Sequence, residues 1–200
     1  MKIVCLDLEG VLVPEIWISF SEAVGIPELS RTTRDEPDYD KLMQYRLALL
    51  NKYKLKLKDI QKVIGSMEIL EGADDFLNKI REQTQLIILS DTYEEFARPL
   101  MAKLAWPTLF CNSLIIGKDG EISSYKLRQK EGKKEAITAL KTLNMKVFAA
   151  GDSFNDLAMI LEADEGCLFR APEAIRETHV HLPCVDTYED LLDKINLFLS

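Results

Sequence analysis

The chain has 200 residues, 47% of them hydrophobic and 29% charged, which suits a soluble folded protein with one ordinary core and room for a small insertion carrying a minor core of its own. A formal charge of -8 repels phosphate backbones and no basic stripe offsets it, so nucleic acid is excluded as a partner, and an anionic small-molecule substrate requires a concentrated local cation. No apolar run reaches membrane-spanning length, and the two acids in IVCLDLEG interrupt any signal-peptide core, so no membrane association and a cytoplasmic location are expected.

In chain order, KIVCLD is the first strand: a nearly continuous apolar run of the kind buried on both faces of a parallel sheet, stopped by acid and glycine in DLEG. From Pro14 to about Glu71 there is no clear strand. This stretch reads as helices, among them DYDKLMQYRLALLNKY, where Met43, Leu47 and Leu50 share one face. QLIILS, ending at Ser90, is the next strand, followed by the helical pattern YEEFARPLMAKLA. In LFCNSLIIGKDGEISSYKL, Asp119-Gly120 between two β-rich runs predicts a short antiparallel hairpin. EGKKEAITALKTLN is helical, KVFAAGD is a strand ending at Asp152, FNDLAMILEA is helical, and GCLF is a shorter strand. Alternating strands and helices predict an α/β fold with a doubly wound parallel sheet. In such sheets ligands collect beyond the carboxyl ends of the strands, where three of these runs place a polar residue able to do phosphate chemistry. Cys5, Cys111, Cys167 and Cys184 are scattered and read as reduced thiols, and His179, His181 and Cys184 fit no zinc spacing.

DLEGV ends the first strand with two carboxylates, Asp7 and Glu9, and a glycine that lets the chain turn. Acids often end strands, so this motif alone leaves a structural reading open. GDSFND repeats the pattern with Asp152 and Asp156, where helix capping accounts for Asp156 but not for Asp152. Four such acids at neighbouring strand ends repel one another unless a hard cation sits among them, and oxygen ligands with a phosphate substrate favour Mg²⁺. Ser90, with the main-chain N–H groups that follow it from Asp91 on, can bind phosphate oxygens. Lys133, opening a helix after RQKEG, can face both a nucleophile and a phosphoryl group. Singly, these also read as a turn serine and a solvated lysine.

The order of DLEGV, Ser90, Lys133 and GDSFND along the chain resembles the four motifs of the haloacid dehalogenase-like superfamily of phosphohydrolases. The insertion after DLEGV resembles the helical cap of its phosphoserine phosphatase group. The resemblance implies a Rossmann-like core formed by residues 1–13 and 72–200, with a small helical cap for substrate specificity at 14–71. It implies Asp7 as nucleophile, Asp7, Asp152 and the Glu9 carbonyl as Mg²⁺ ligands, and Ser90, Asp91, Lys133 and Asn155 as phosphate contacts. Glu9 is then the acid and base of the two half-reactions. The superfamily usually carries Asp where this chain has Glu9. With that, LDLEGVLVPE, TTRDEPDYD and ILSDTYEEF are similar to the bifunctional subgroup described as phosphoserine:homoserine phosphotransferases. This implies an enzyme of serine and threonine biosynthesis whose substrates are phosphoserine and homoserine.

Phosphoserine also carries a carboxylate and an ammonium group. Arg46, beside the apolar face of Met43 and Leu47, can grip the carboxylate, and Glu15 can take the ammonium. Arg34 and Arg128 are further candidates for a closing lid. The alternatives are a phosphatase for another small phosphorylated metabolite and an inactive module that binds a phosphorylated ligand. Oligomeric state is not legible in the sequence.

Overall fold

The opening apolar run forms strand β1 (Lys2–Leu6), and successive side chains leave it in opposite directions. Val4 and Leu6 enter one buried cluster, Ile3 and Cys5 the other, as a strand covered on both faces requires. The computed structural model describes residues 1–33 and 35–200, and every statement about the fold refers to those residues. After β1 the chain makes no named strand until past residue 80. It forms α1 (Ile16–Val24), a short 3-10 turn, α2 (Tyr39–Lys52), α3 (Leu57–Ser66) and α4 (Ala73–Arg81). Helix α2 starts where the Asp38 carboxylate accepts from the Lys41 N–H at 3.1 Å. Its Met43, Leu47 and Leu50 are buried, and they join the apolar cluster that also covers one face of the sheet.

The remaining elements are β2 (Gln85–Tyr93), α5 (Glu94–Lys103), β3 (Thr108–Ile116), β4 (Ile122–Lys126), α6 (Gly132–Thr142), β5 (Lys146–Gly151), α7 (Leu157–Glu162), β6 (Glu165–Phe169), α8 (Glu173–Thr178), β7 (Cys184–Val185) and α9 (Tyr188–Leu199). The sheet order is β4-β3-β2-β1-β5-β6-β7. Every neighbouring pair is parallel except β3 with β4. Helices α4, α5 and α9 cover one face, and α6, α7 and α8 the other. This is the doubly wound α/β sheet that the alternating pattern predicts. No helix is long and apolar enough to cross a membrane.

The antiparallel hairpin predicted around Asp119-Gly120 forms, and because β3 pairs parallel with β2 it extends the main sheet. Strand β2 also runs on past Ser90 to Tyr93, with a register shift between Leu89 and Tyr93. The irregularity takes Ser90, Asp91 and Thr92 out of the ladder, leaving main-chain groups free for other partners. Strand β1, flanked by β2 and β5, is the centre on which this depends. Leu6→Ala should lower unfolding free energy by about 2–5 kcal/mol in denaturant titration, whereas Leu143→Ala on the exposed surface should change it by less than about 0.5 kcal/mol.

Candidate active site

Because β1, β2 and β5 are parallel neighbours, their carboxyl ends deliver Asp7, Ser90 and Asp152 to one edge of the sheet. Asp7 is anchored by its own N–H, which donates to the Ala150 carbonyl at 3.0 Å. Helix α6 brings Lys133 into the same place. The Lys133 ammonium donates to an Asp7 carboxylate oxygen at 2.8 Å and to Asp156 at 2.6 Å, and lies 3.8 Å from Asp91. Asp7, Lys133 and Asp156 are all buried. Burial alone would depress Lys133, but Asp156, Asp7 and Asp91 outweigh it and hold the ammonium well above the ordinary lysine range.

Asp156, whose role the sequence left between capping and chemistry, is wholly occupied in bracing the site. One oxygen takes Lys133. The other accepts from the N–H groups of Asp152 and Ser153 and from the Ser153 hydroxyl, each at 3.0 Å. A side chain on Gly151 would meet this carboxylate at 2.3 Å, and one on Gly10 would meet the Asp152 carboxylate at 2.5 Å. Both acids therefore sit over a backbone without a Cβ, and Gly10 also adopts the left-handed φ of 75° that its turn requires.

Burial pushes the Asp7 carboxyl well above the usual range, reinforced by Asp156 and Asp152 and opposed by Lys133. Burial, then Asp156, pushes Asp152 up to about 7. Oxygens of Asp7, Asp152 and Asp156 lie within 4.8 Å of one another. Since Asp156 has both oxygens engaged by the protein, Asp7 and Asp152 are the carboxylates left for a cation. The Glu9 carbonyl accepts no hydrogen bond among the described residues. This all-oxygen, carboxylate-rich donor set fits a hard divalent ion such as Mg²⁺.

On the phosphate side, the Ser90 hydroxyl accepts from the Thr92 N–H at 3.2 Å. Asn155 donates to the Asp91 carboxylate at 2.8 Å, linking the β2 and β5 strand ends. Asn112, a buried amide on β3, donates to the Asp91 carbonyl at 3.0 Å and accepts from the Arg128 N–H at 3.0 Å. Its signal was available as a single amide inside an apolar strand run, but sequence reasoning passed over it.

Asp7, Ser90, Asp91, Lys133, Asp152 and Asn155 line a cleft of about 680 Å³ that also contains Glu9, Glu15, Trp17, Tyr39, Arg46 and Tyr93. The Glu9 carboxylate accepts from the Ile16 N–H at 3.0 Å, at the start of α1. Burial and the adjacent Glu15 push it up to about 8. Arg46, buried on α2, stacks its guanidinium 4.4 Å from the centre of the Trp17 ring and donates to the Arg31 carbonyl at 2.5 Å. Its Nε is fully buried and has no hydrogen-bond partner among the described residues, so it is the guanidinium as a whole that belongs to the lining of the cleft. Arg128, by contrast, lies in a different groove beside Trp106, against the Phe110 ring at 5.1 Å and bonded to the Gly132 carbonyl. Arg34 falls outside the described residues.

A family model described as haloacid dehalogenase-like hydrolase matches residues 1–164. Phosphoserine phosphatase ThrH of Pseudomonas aeruginosa is 52% identical over 191 residues, which cover 96% of this chain and 93% of the relative. A phosphoserine phosphatase of Pseudomonas syringae pv. tomato is 50% identical over 191 residues, covering 96% and 81% respectively. Among solved structures, a phospho-aspartyl intermediate analogue of phosphoserine phosphatase matches with a TM-score of 0.78 at 18% identity, covering 96% of this chain and 98% of that one. The last likeness is one of fold.

Removing the Asp156 carboxylate leaves Lys133 short of a partner and frees the loop after β5. Asp156→Ala should therefore cost about 3–5 kcal/mol in denaturant unfolding, well beyond Glu22→Ala at an exposed position of α1.

Proposed function

This chain belongs to the haloacid dehalogenase-like hydrolases, and from that membership we propose that it is a Mg²⁺-dependent phosphoserine phosphatase that works through an aspartyl-phosphate on Asp7 and also passes the phosphoryl group to homoserine. The observation that carries the reading is that one cleft joins two recognition centres. At one end the Asp7–Lys133–Asp156 cluster suits phosphoryl chemistry. In the same cleft the buried Arg46 guanidinium, stacked on Trp17, suits a carboxylate. A substrate with a phosphate at one end and a carboxylate at the other fits this cleft. The names of the half-identical relatives support phosphoserine, and the name ThrH supports a link to homoserine.

In this reading residues 14–71 act as a cap over the catalytic core of residues 1–13 and 72–200, and Arg46 and Glu15 take the carboxylate and ammonium of the substrate. Asp7, Asp152 and the Glu9 carbonyl hold Mg²⁺, which when bound neutralises phosphoryl oxygens. With one Asp7 oxygen held by Lys133, the other attacks phosphorus, and the bond to the seryl oxygen breaks. The Lys133 ammonium faces the charge that spreads over the transferring group. Ser90, the N–H of Asp91, and Asn155 bind the remaining phosphate oxygens. Glu9, kept protonated by burial beside Glu15, gives its proton to the departing alkoxide. In the second half-reaction Glu9 takes a proton from water or from the homoserine hydroxyl. The new oxygen attacks phosphorus, and the Asp7 carboxylate is released. An enzyme of serine and threonine biosynthesis working in the cytoplasm is the setting this chemistry implies.

With phosphoserine and Mg²⁺, free phosphate should form, and added homoserine should divert part of it into phosphohomoserine. Chelation of the metal and Asp7→Asn should each abolish both products. Phosphate release unaffected by Asp7→Asn would defeat the mechanism, and absence of phosphohomoserine would defeat the transfer. Arg46→Ala should raise the KM for phosphoserine about 100-fold, the loss of a charge-assisted pair. Turnover of p-nitrophenyl phosphate should change little, whereas equal effects on both substrates would favour a phosphatase for a different metabolite.

A further inference from the structure

The cleft contains a pair of groups that the proposed chemistry does not use. Tyr39, the first residue of α2, and Tyr93, the last residue of β2, place their hydroxyls 2.7 Å apart although 54 positions separate them in the chain. The Tyr39 hydroxyl also lies 3.4 Å from the Asp91 carbonyl. Asp91 is itself tied to Asn112, Asn155 and Lys133. Tyr39 stands two helical turns before Arg46, on the same side of α2. One hydroxyl pair thus fastens the helix carrying the carboxylate-binding arginine to the loop that faces the phosphate.

We propose that the Tyr39–Tyr93 hydroxyl pair is a specificity-determining latch, which holds α2 over the strand ends and so decides whether the phosphate on Asp7 passes to an amino-acid alcohol or to water. The proposal rests on the aspartyl-phosphate reading above. Water reaches the phosphorylated Asp7 through any opening, whereas an alcohol carrying a carboxylate is held in place by Arg46 and competes with water only while α2 stays down. In either outcome the acceptor oxygen bonds to phosphorus, the bond from phosphorus to the Asp7 oxygen breaks, and the acceptor proton goes to Glu9. Both tyrosines stay protonated: burial pushes Tyr39 up to about 12 and Tyr93 higher. Their rings pack edge-on against Tyr125 at 5.9 Å and 6.1 Å. A Phe at either position therefore keeps the packing and removes only the hydroxyl.

The test is the ratio of phosphohomoserine to free phosphate formed from phosphoserine, Mg²⁺ and homoserine. At saturating phosphoserine, Tyr39→Phe and Tyr93→Phe should each lower that ratio about 10-fold, the worth of one buried hydrogen bond, with total phosphoserine consumption within about threefold of the parent. The double variant should be no worse than Tyr39→Phe, which already removes the contact between the two hydroxyls, and Tyr45→Phe on the same helix should leave the ratio unchanged. An unchanged ratio in both single variants, or a double variant whose loss is the product of the single losses, overturns the latch. If the parent protein makes no phosphohomoserine, the transferase reading fails on its own, and the latch is judged by amide hydrogen exchange of residues 39–52 in the parent and in Tyr39→Phe. Faster exchange in the variant then supports the latch, and identical exchange overturns it.

Discussion

A single buried ammonium organises this molecule. An unpaired lysine in a protein interior sheds its proton because the charge has lost its water. Lys133 also stands in the first turn of α6, where the helix dipole disfavours a cation. Both penalties are overcome only because Asp7, Asp156 and Asp91 surround it. The requirement runs outward from there. Asp156 must reach Lys133 and hold the loop after β5 at the same time, which is why Gly151 has no side chain. Asp7 must sit at the end of the central strand, and Asp152 must approach it closely enough that Gly10 has none either.

The charges in this cluster do not balance. Asp7, Asp152 and Asp156 face one another with Lys133 as the buried cation among them, so two negative charges remain uncompensated if all three acids are ionised. The upward displacement of Asp7 and Asp152 is the protein's response: burial and mutual repulsion favour protonation. A divalent ion would offer the other solution, restoring both acids to the ionised state that the proposed nucleophilic attack and ligation require. A divalent ion there, with Lys133, would also let an acidic protein bind an anionic substrate. Its long-range field repels phosphate, and the attraction is confined to a few ångströms around the site.

Much of this was legible because its signals are local. Apolar runs that end in a polar residue marked β1, β2 and β5, and period-3.6 spacing marked α2 with Met43, Leu47 and Leu50 inward. Arg46, beside that face, is buried at the cleft. What escaped depends on contacts distant in sequence. The parallel pairing of β3 with β2 leaves no pattern in either strand, so the hairpin was legible but its place in the sheet was not. Nothing near Arg128 says that it falls in another groove, against Phe110. Asn112 and Tyr93 earn their positions from partners 21 and 54 residues away, a distance no short motif spans. Asp156 was visible as a cap, and it does cap, but its second oxygen's role needed Lys133 in view.

Glu9 shows how a one-carbon change propagates. A carboxylate at this position has to satisfy itself within the reach of its side chain, and the longer Glu extends to the Ile16 N–H at the start of α1, next to Glu15. An N–H in the first turn of a helix is a favourable partner for a carboxylate. An Asp, shorter by one methylene, would stop short of it and stay with the strand end. The group that handles protons in the proposed chemistry is thereby anchored to the helical segment rather than to the sheet alone. Any displacement of α1 then moves the Glu9 carboxylate as well as Glu15, the proposed ammonium site. If the proposed transfer takes place, acceptor choice then depends on how firmly the helical segment is held to the strand ends, and not on the identity of the Glu9 carboxylate by itself.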